Sequence, residues 1–410
     1  SLANEILDYP DVALSMYTSL STPFLPIIGV DHFTLEQCGR SSTGKTSTMM
    51  FAASAWGNPS VSSGSLVNSW NNTENRIGRI AGLLNGLPFF LDETNQAKKM
   101  NNKNKYGSDL VTDTIYMIAS GQDKGRAKIH GTDWLQSFRT ILFSTGENPS
   151  LDLTNDGGSR GRIIDLHGMP FLETNSESKD VVNNIRYTIA DNYGHAGPCI
   201  VQFILEHRDQ WPLWKNAYKE ASAVLSKFEN MSSIEMRLTE YFAAVATAIP
   251  IIHAAIPGLR RDKPVIKLFE SVWRRAMYQA SSSDIGLKGM ECVDDWIKCF
   301  PNRIYSPEQV RKNIPWSGDS FGAYWDNQGN DDWTFIGLTK PCLDELLRKN
   351  QLKPSEIVRL WRDKGWLVTD GSSKGYQRQV AIPGTSNGTS TMKLNLYCIS
   401  KQNLVSAVKN

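Results

Sequence analysis

The chain has 410 residues, 40% of them hydrophobic, and a formal net charge of +2. That length predicts two or three domains, each large enough to bury a core. A nearly neutral charge excludes a protein that binds nucleic acid with its whole surface, so any such surface has to be local. Six scattered cysteines without zinc-type spacing indicate reduced thiols rather than a disulfide framework or a zinc site.

No apolar run in the sequence predicts a membrane span and no signal peptide is visible, so we expect a cytoplasmic protein. The chain opens at Ser1 without an initiator methionine, in a stretch of helical character. We therefore expect that the natural protein extends upstream of this residue.

The first 35 residues change from a helical to a strand-like composition. The apolar residues of 24–30 and 33–35 predict a buried strand. Before them, apolar side chains recur at helical intervals and predict a pair of helices. These side chains are Ile6, Val12, Met16 and Leu20.

Residues 39–46, Gly-Arg-Ser-Ser-Thr-Gly-Lys-Thr, fit the pattern of a nucleotide-binding loop (Walker A). The two glycines allow a tight turn in which successive backbone N–H groups point at phosphate oxygens. Lys45 can then reach the β- and γ-phosphates, and the Thr46 hydroxyl can bind Mg²⁺. A helix predicted over 46–56 directs its positive dipole end at the anion. The predicted phosphate contacts are Gly39, Ser41, Ser42, Thr43, Gly44, Lys45, Thr46 and Ser47.

An apolar run that ends in two acids, residues 87–93, is typical of a buried parallel strand whose carboxyl end enters a site. Asp92 is predicted to hold Mg²⁺, and Glu93 to orient and deprotonate the attacking water. A strand at 66–70 and a helical stripe at 77–84 are predicted before it, so strands and helices alternate as in a mostly parallel sheet. An Asp-Glu pair alone is commonly a solvated loop, but together with the phosphate loop it predicts ATP binding and hydrolysis.

Two basic segments follow the acidic strand. Residues 98–105 are either a solvated loop or a contact to phosphate backbones, and the sequence leaves both interpretations open. After a helix predicted over 110–119, residues 124–134 combine a short basic strand, a glycine-centred turn and an aromatic return strand. This pattern predicts a β-hairpin.

The next apolar strand ends in Ser144 and Thr145, and either hydroxyl would lie beside the γ-phosphate and sense its loss. A glycine-rich loop then carries Arg160 and Arg162 into a fifth strand at 163–166. Arginines before a strand are usually surface residues. In a ring-shaped assembly, however, these two lie where an arginine would reach a neighbouring subunit's nucleotide.

From about residue 173 the pattern becomes helical. Arg237 lies near the start of the last predicted helix of this region, where it can reach a nucleotide phosphate. Pro250 and Pro257 predict the exit from the region. The predicted helices cover 181–190, 198–206, 211–228 and 233–248.

The tail from about residue 283 combines helices with a late pair of strands. A capping box with proline at the first helical position begins at Ser306. Helices are predicted at 291–300, 306–312, 341–349 and 354–364, with paired strands at 365–369 and 392–399. Three helices followed by a two-stranded wing predict a winged helix. Basic residues exceed acidic ones in this part, so the winged helix either contacts DNA or docks onto protein.

These segments together resemble the AAA+ helicases of mobile genetic elements, of the cassette-chromosome Cch type, which are similar to the minichromosome maintenance (MCM) helicases. The resemblance covers roughly residues 20–250 and is specific as a set. The tail matches in architecture more than in motif. The matching segments are 39–46, 52–57, 91–93, 119–127, 143–147, 162–165 and 193–198.

The resemblance implies a hexameric ring with Mg²⁺ and ATP between subunits, and a helical lid on the nucleotide domain. It also implies that the hairpin before the Thr145 strand grips single-stranded DNA, with Lys124, Lys128 and His130 as its contacts. The helix with Arg237 resembles the lid helix that supplies a second sensor arginine.

One departure concerns the arginine finger. MCM-type chains place this arginine immediately before an apolar residue and an aspartate. Here Arg162 is separated from Asp165 by two residues, so Arg160 stays an alternative to Arg162.

The sequence thus predicts an α/β fold with an AAA+ P-loop ATPase domain at 1–172, a helical lid and connector at 173–282, and a winged-helix domain at 283–410. The favoured function is an ATP-driven DNA helicase that acts on single-stranded and duplex DNA, assisted by other replication proteins of the same element. The alternative is an ATP-switched origin-binding initiator or scaffold that does not unwind. A kinase or metabolic ATPase fits less well, since it needs neither a basic hairpin nor a winged helix.

Overall fold

The chain forms two compact units, Ser1–Ser281 and Ser282–Asn410. Each unit has its own sheet and its own hydrophobic core. A computed structural model describes residues 2–61, 64–100, 110–122, 127–128, 131–132, 137–150, 160–173, 175–227, 231–259, 265–282, 285–325, 333–350, 352–369, 376–382 and 392–409.

The first unit is built on a sheet of five parallel strands in the spatial order β2-β3-β6-β1-β7. Every residue of the two central strands β1 and β6 is buried, which is the burial expected of a parallel strand covered on both faces. The strands β4 and β5 pair antiparallel, as the predicted hairpin requires. The strands of this unit are β1 (Phe33–Cys38), β2 (Val67–Ser69), β3 (Phe89–Asp92), β4 (Ala127–Lys128), β5 (Gly131–Thr132), β6 (Ile141–Gly146) and β7 (Ile163–His167).

Helices cover both faces of this sheet. Its helices are α1 (Leu2–Ile6), α2 (Pro10–Ser21), α3 (Leu25–Ile28), α4 (Lys45–Ser54), α5 (Glu74–Leu83), α6 (Asn95–Met100), α7 (Leu110–Ser120), α8 (Ser176–Asp191), α9 (Ala196–Glu206), α10 (Trp211–Leu225), α11 (Ser233–Ala255) and α12 (Val265–Ser282). One core joins the sheet to α2, α4 and α11, and a second core joins the other face to α5 and α7. The carboxyl ends of β1, β3, β6 and β7 therefore meet at one edge of a rigid layer.

The strand predicted from residue 24 is wrong in its first half. Residues Thr22–Phe24 form a 3-10 turn and Leu25–Ile28 a short helix, and only Phe33–Cys38 is a strand. Short apolar runs look alike in helices and strands when both are buried, so periodicity cannot separate them. Phe24 is 1% exposed and packs its ring edge-on against Trp214.

The helix α11 is longer than predicted. It does not end before Pro250 but continues through this residue to Ala255. The residues beyond the proline are held in the core, where the Tyr17 hydroxyl lies 2.7 Å from His253 Nε2. By length and composition alone α11 could cross a membrane, but 67% of its most apolar window is buried inside the protein. The helix α12 has no counterpart in the sequence prediction, and Arg275 in it forms an ion pair with Asp11.

The second unit contains a mixed sheet of five strands in the order β11-β12-β10-β9-β8, in which only β8 and β9 are parallel. The strands are β8 (Ile304–Tyr305), β9 (Ala323–Trp325), β10 (Phe335–Leu338), β11 (Arg378–Ile382) and β12 (Met392–Ser400). The helices are α13 (Ile285–Cys299), α14 (Pro307–Arg311), α15 (Lys340–Lys349), α16 (Pro354–Asp363) and α17 (Lys401–Lys409). At its centre the fully buried Trp361 donates from Nε1 to Gly286 O at 2.8 Å.

The two-stranded wing predicted for this unit needs correction. Residues 365–369 form no strand, and Leu367 makes only a single bridge to Ile399. The neighbours of β12 are instead β11 on one side and β10 on the other. Strands β8, β9 and β10 are not predicted from the sequence, because strands of two to four residues are too short for a period of two to stand out.

Candidate nucleotide-binding site

The loop between β1 and α4 needs glycine at both of its predicted glycine positions. Gly39 has φ +141°, and a Cβ there would lie 2.9 Å from the carbonyl oxygen of Gly168. Gly44 has φ +92°, and a Cβ there would lie 2.6 Å from the Phe171 ring. Both positions combine a left-handed backbone with close contact, which only glycine accepts without strain.

Lys45 begins α4 and folds back over the loop that precedes it. Its Nζ donates to the carbonyl oxygens of Gly39 at 3.0 Å and Arg40 at 2.7 Å. The side chain is only 7% exposed. The ammonium is thus held against the loop backbone at the N-terminus of a helix. Its charge and the positive end of the helix dipole both favour the binding of an anion.

The residues predicted to hold Mg²⁺ and to sense phosphate meet at Asp92. Thr46 Oγ1 donates to Asp92 Oδ1 at 3.0 Å, and Thr145 Oγ1 donates to the same oxygen at 2.6 Å. Because β3 pairs with β6 and β6 with β1, the ends of these strands lie side by side. A carboxylate flanked by hydroxyls fits the oxygen ligands that Mg²⁺ prefers.

Glu93 follows directly and lies on the same side of the site. Its backbone N donates to Thr145 Oγ1 at 2.9 Å, and its Oε1 accepts from the backbone N of Asn95 at 3.3 Å. Its φ is +66°, an uncommon conformation for a residue with a side chain. Such strain persists where surrounding bonds fix it, and it concentrates at functional sites. Asn95 also donates to Glu147 at 3.1 Å, a link between two carboxylates that sequence reasoning missed.

The structure separates the two candidate sensor residues. Thr145 faces Asp92, whereas Ser144 faces the opposite side of its strand, where its Oγ donates to Glu36 Oε1 at 3.3 Å. Ser150 also donates to Glu36, from both its N and its Oγ. Burial and the nearby Asp165 carboxylate raise the pKa of Glu36 to about 8.

A thiol-centred group ties β1 to β7 directly before the loop. Cys38 Sγ donates to Asp165 Oδ1 at 2.8 Å and lies 3.2 Å from His167 Nδ1. The backbone N of Gly168 also donates to Cys38 O at 3.0 Å. These bonds fix the point at which the chain leaves the sheet to form the loop. Sequence reasoning missed them because their partners lie more than a hundred positions apart.

The predicted arginines lie at the other edge of the sheet. The carbonyl oxygen of Arg162 accepts from the backbone N of Thr34, at the start of β1. Arg237 lies against Gly161, since a Cβ on that glycine would be 3.3 Å from Arg237 Cδ. Burial raises the pKa of the Tyr241 hydroxyl, and the charges of Arg237 and Arg162 partly offset the rise. The two arginines therefore lie near one another.

The length of β1 keeps these arginines away from the phosphate loop. Five residue steps of about 3.3 Å each separate its first residue from its last, or roughly 16 Å. Arg162 and Arg237 are therefore not brought to the site formed by Lys45, Thr46, Asp92 and Thr145. Arg160 is only 4% exposed, whereas Arg162 is half-buried.

A cleft of about 410 Å³ opens beside the phosphate loop, and sequence reasoning missed it. The loop residues Ser42, Thr43 and Gly44 form one side, and Phe171 and α8 form the other. Arg186 lines it and donates from Nε to Ser47 Oγ at 2.9 Å.

The three predicted DNA contacts belong to the hairpin segment before β6. Lys124 and His130 lie outside the described residues. The backbone of Lys128 forms part of β4, and its side chain is also outside what the structure describes.

Comparisons with known proteins agree with the fold. A family model described as a domain of unknown function, DUF927, matches residues 4–136. A solved structure described as SCCmec type IV Cch, an active helicase, matches with a TM-score of 0.69 at 19% sequence identity, over 98% of this chain and 68% of that chain. The predicted resemblance is therefore confirmed at the level of the fold. A search of curated proteins finds no match.

Proposed function

We propose that this protein is an ATP-driven DNA helicase of the AAA+ class. The observation that carries the proposal is the junction at Asp92, whose Oδ1 accepts hydrogen bonds from both Thr46 and Thr145. The junction joins the phosphate loop to β3, which ends in Asp92, and to β6, which carries Thr145. A phosphoryl-transfer enzyme needs these three parts around one phosphate group. The likeness in fold to the active Cch helicase supports the coupling of hydrolysis to DNA unwinding.

Each residue of the site then has a defined task. The loop backbone and Lys45 bind the phosphates, while Thr46 and Asp92 would hold Mg²⁺. When bound, Mg²⁺ compensates charge on the β- and γ-phosphate oxygens. Glu93 orients the attacking water and takes its proton, and Thr145 contacts the γ-phosphate. Catalysis of this kind depends mainly on position and on charge compensation.

The arginines complete the site of a neighbouring copy in this proposal. Arg162 and Arg237 lie at the sheet edge opposite to the phosphate loop, so each serves a nucleotide bound by the adjacent subunit of a ring. Arg162 is the better arginine finger, because a side chain as buried as Arg160 cannot extend to another molecule. A homo-hexamer is the assembly that the resemblance implies.

The DNA contacts belong to the hairpin and to the second unit. The hairpin strands β4 and β5 precede the sensor strand β6, and Lys124, Lys128 and His130 in this segment would bind the phosphates of single-stranded DNA. The second unit, with the antiparallel pair β11 and β12 in place of the predicted wing, would contact duplex DNA. The setting that the proposal implies is cytoplasmic replication of a mobile element.

The first test is steady-state ATP hydrolysis with and without single-stranded DNA, at several protein concentrations. We expect a rate that rises with DNA and rises more than linearly with protein, because each site needs an arginine from a second copy. Lys45→Ala should abolish the activity, and Glu93→Gln should bind ATP without hydrolysing it. A Glu93→Gln variant that turned over at the wild-type rate would remove Glu93 from its role.

Unwinding separates the helicase from an ATP-switched initiator. A helicase with both Lys128→Ala and His130→Ala should stop unwinding a forked duplex while it still binds ATP. An initiator instead predicts sequence-specific duplex binding, slow hydrolysis that ignores single strands, and no unwinding by the unmodified chain. That second set of results would contradict the proposal.

A further inference from the structure

Three side chains that suit a metal ion meet at the ends of β1 and β7. Cys38 Sγ lies 2.8 Å from Asp165 Oδ1 and 3.2 Å from His167 Nδ1. One ligand atom of each residue lies within 4.8 Å of the other two. In the described part of the chain, no second group of three Cys, His, Asp or Glu side chains is close enough to hold an ion. Spacing along the sequence does not reveal the group, because Cys38 and Asp165 are 127 positions apart.

The pairing of the two strands brings these ligands to one face of the sheet. Cys38 is the direct partner of His167, and Glu36 is the direct partner of Asp165. Successive residues of a strand point to opposite faces, so all four side chains share a face. Both carboxylate oxygens of Glu36 accept from Ser150, one from its N and one from its Oγ. Glu36 is therefore a neighbour of the group rather than one of its ligands.

The group is separate from the Mg²⁺ site predicted at Asp92. Thr145, which bonds to Asp92, is the cross-strand partner of Gln37. Cys38 follows Gln37 and so faces the opposite side of the sheet. The two sites also differ in chemistry, because Mg²⁺ prefers oxygen ligands alone. A thiolate, an imidazole and a carboxylate are instead the ligand types of Zn²⁺.

Burial of the group leaves an entrance for an ion on one side. Cys38 is fully buried and Asp165 is 6% exposed, whereas His167 is exposed. An ion can therefore enter beside His167, and water on that side completes a tetrahedral Zn²⁺ with three protein ligands. Binding displaces the thiol proton of Cys38 to solvent. The charges of the thiolate and the Asp165 carboxylate then balance the two positive charges of Zn²⁺.

We infer that Cys38, Asp165 and His167 form a Zn²⁺ site that fastens β1 to β7 directly before the phosphate loop. Gly39 follows Cys38 and begins the loop, and a Cβ on Gly39 would lie 2.9 Å from the Gly168 carbonyl oxygen. The backbone N of Gly168 donates to Cys38 O at 3.0 Å, so the ion adds a second link where both strands leave the sheet. Zn²⁺ binding at this place does not depend on the proposed function.

The test is Zn²⁺ binding to the full chain, measured by competition with a chromogenic chelator in a non-thiol reductant. We expect one Zn²⁺ per chain that excess Mg²⁺ does not displace. His167→Asn removes the exposed ligand and should weaken Zn²⁺ on the order of 100-fold or more, since loss of a residue that only supports a ligand already costs up to about 100-fold. His195→Asn, the same change at another exposed histidine, is the matched control and should bind normally. Equal affinity of the two variants, or no Zn²⁺ bound by the unmodified chain, overturns the inference.

Co²⁺ in place of Zn²⁺ tests whether the thiol is a ligand. A thiolate bound to Co²⁺ gives a sulfur-to-metal charge-transfer absorption in the near ultraviolet. We expect this band in the unmodified chain and in Cys199→Ser, a change at an exposed cysteine, but not in Cys38→Ser. Zn²⁺ should also raise the Tm of the unmodified chain more than that of His167→Asn, because the ion binds the folded state. Absence of the band in the unmodified chain, or its persistence in Cys38→Ser, overturns the inference.

Discussion

The two edges of the parallel sheet, at the carboxyl and the amino ends of its strands, differ in how many residues of the candidate site one chain brings together. At the carboxyl edge, Lys45, Thr46 and Thr145 are bonded to the loop backbone or to Asp92, so one chain holds the whole arrangement that is proposed to bind phosphate. At the amino edge, Arg162 and Arg237 lie beside Tyr241, roughly 16 Å from the loop along β1. Under the proposed function, this difference means that a single chain would bind a nucleotide while its arginines would act at the site of another copy.

Mixing two inactive variants gives the largest expected effect. Lys45→Ala removes the lysine of the phosphate loop at the carboxyl edge, and Arg162→Ala removes the arginine at the amino edge. Each should lower the rate of ATP hydrolysis by about 10³ or more. In a mixture, an intact loop from one chain meets an intact arginine from the other, so activity should reappear and peak near equal proportions. The measurement is the hydrolysis rate at fixed total protein across mixing ratios.

The control for that experiment is Arg76→Ala, a change at an exposed arginine of α5, which should leave the rate unchanged. Mixtures that stay inactive at concentrations where the unmodified chain works would mean that the arginine does not cross to another copy. The proposal that the two sheet edges serve the nucleotides of different copies would then be wrong.

A smaller effect is expected at Thr145, within the carboxyl edge. Thr145→Val removes the donor to Asp92 and the acceptor for the Glu93 backbone at nearly constant volume. We expect kcat to fall on the order of 10², as for loss of one preorganised hydrogen-bonding group, with ATP affinity little changed. Thr145→Ser keeps the hydroxyl and should stay close to the wild-type rate. An equal loss in both variants would show that shape at this position matters more than the hydroxyl.

The carboxyl edge was largely predictable because its parts are local in sequence. The loop and the acidic strand end are each contiguous, and their chemistry follows from residue type and spacing. The structure adds that Thr145, rather than Ser144, faces the site. Alternation along a strand places neighbours on opposite faces, but the sequence alone does not say which face meets the nucleotide.

Contacts between distant positions were not predictable. Arg186 and Ser47 are 139 positions apart, and no pattern in either segment marks the pair. The cleft likewise depends on how Phe171 and α8 approach the loop, which is a property of packing. In the second unit, the short strands β8 to β10 lack the length that makes a pattern visible, so the predicted two-stranded wing became a five-stranded sheet.

At Glu36, which lies in mid-strand between the two edges, the expected effect is on stability rather than on rate. Burial and Asp165 raise its pKa to about 8, from 4.5 for an ordinary glutamate. Between these values the folded chain holds a proton that the unfolded chain has lost. Folding therefore takes up about one proton, and the free energy of unfolding falls as pH rises through this window.

Glu36→Gln should remove that contribution, because a glutamine imitates the protonated acid at every pH. Urea unfolding at pH 5, 6, 7 and 8 is the measurement, and the gain in stability of Glu36→Gln over the unmodified chain should grow steadily with pH. Glu147→Gln, at an exposed carboxylate beyond β6, serves as the matched control. A difference for Glu36→Gln that did not change with pH would mean that this carboxyl is ionised in the folded chain. The sheet centre would then carry two buried negative charges, at Glu36 and Asp165, and would need a positive partner to balance them.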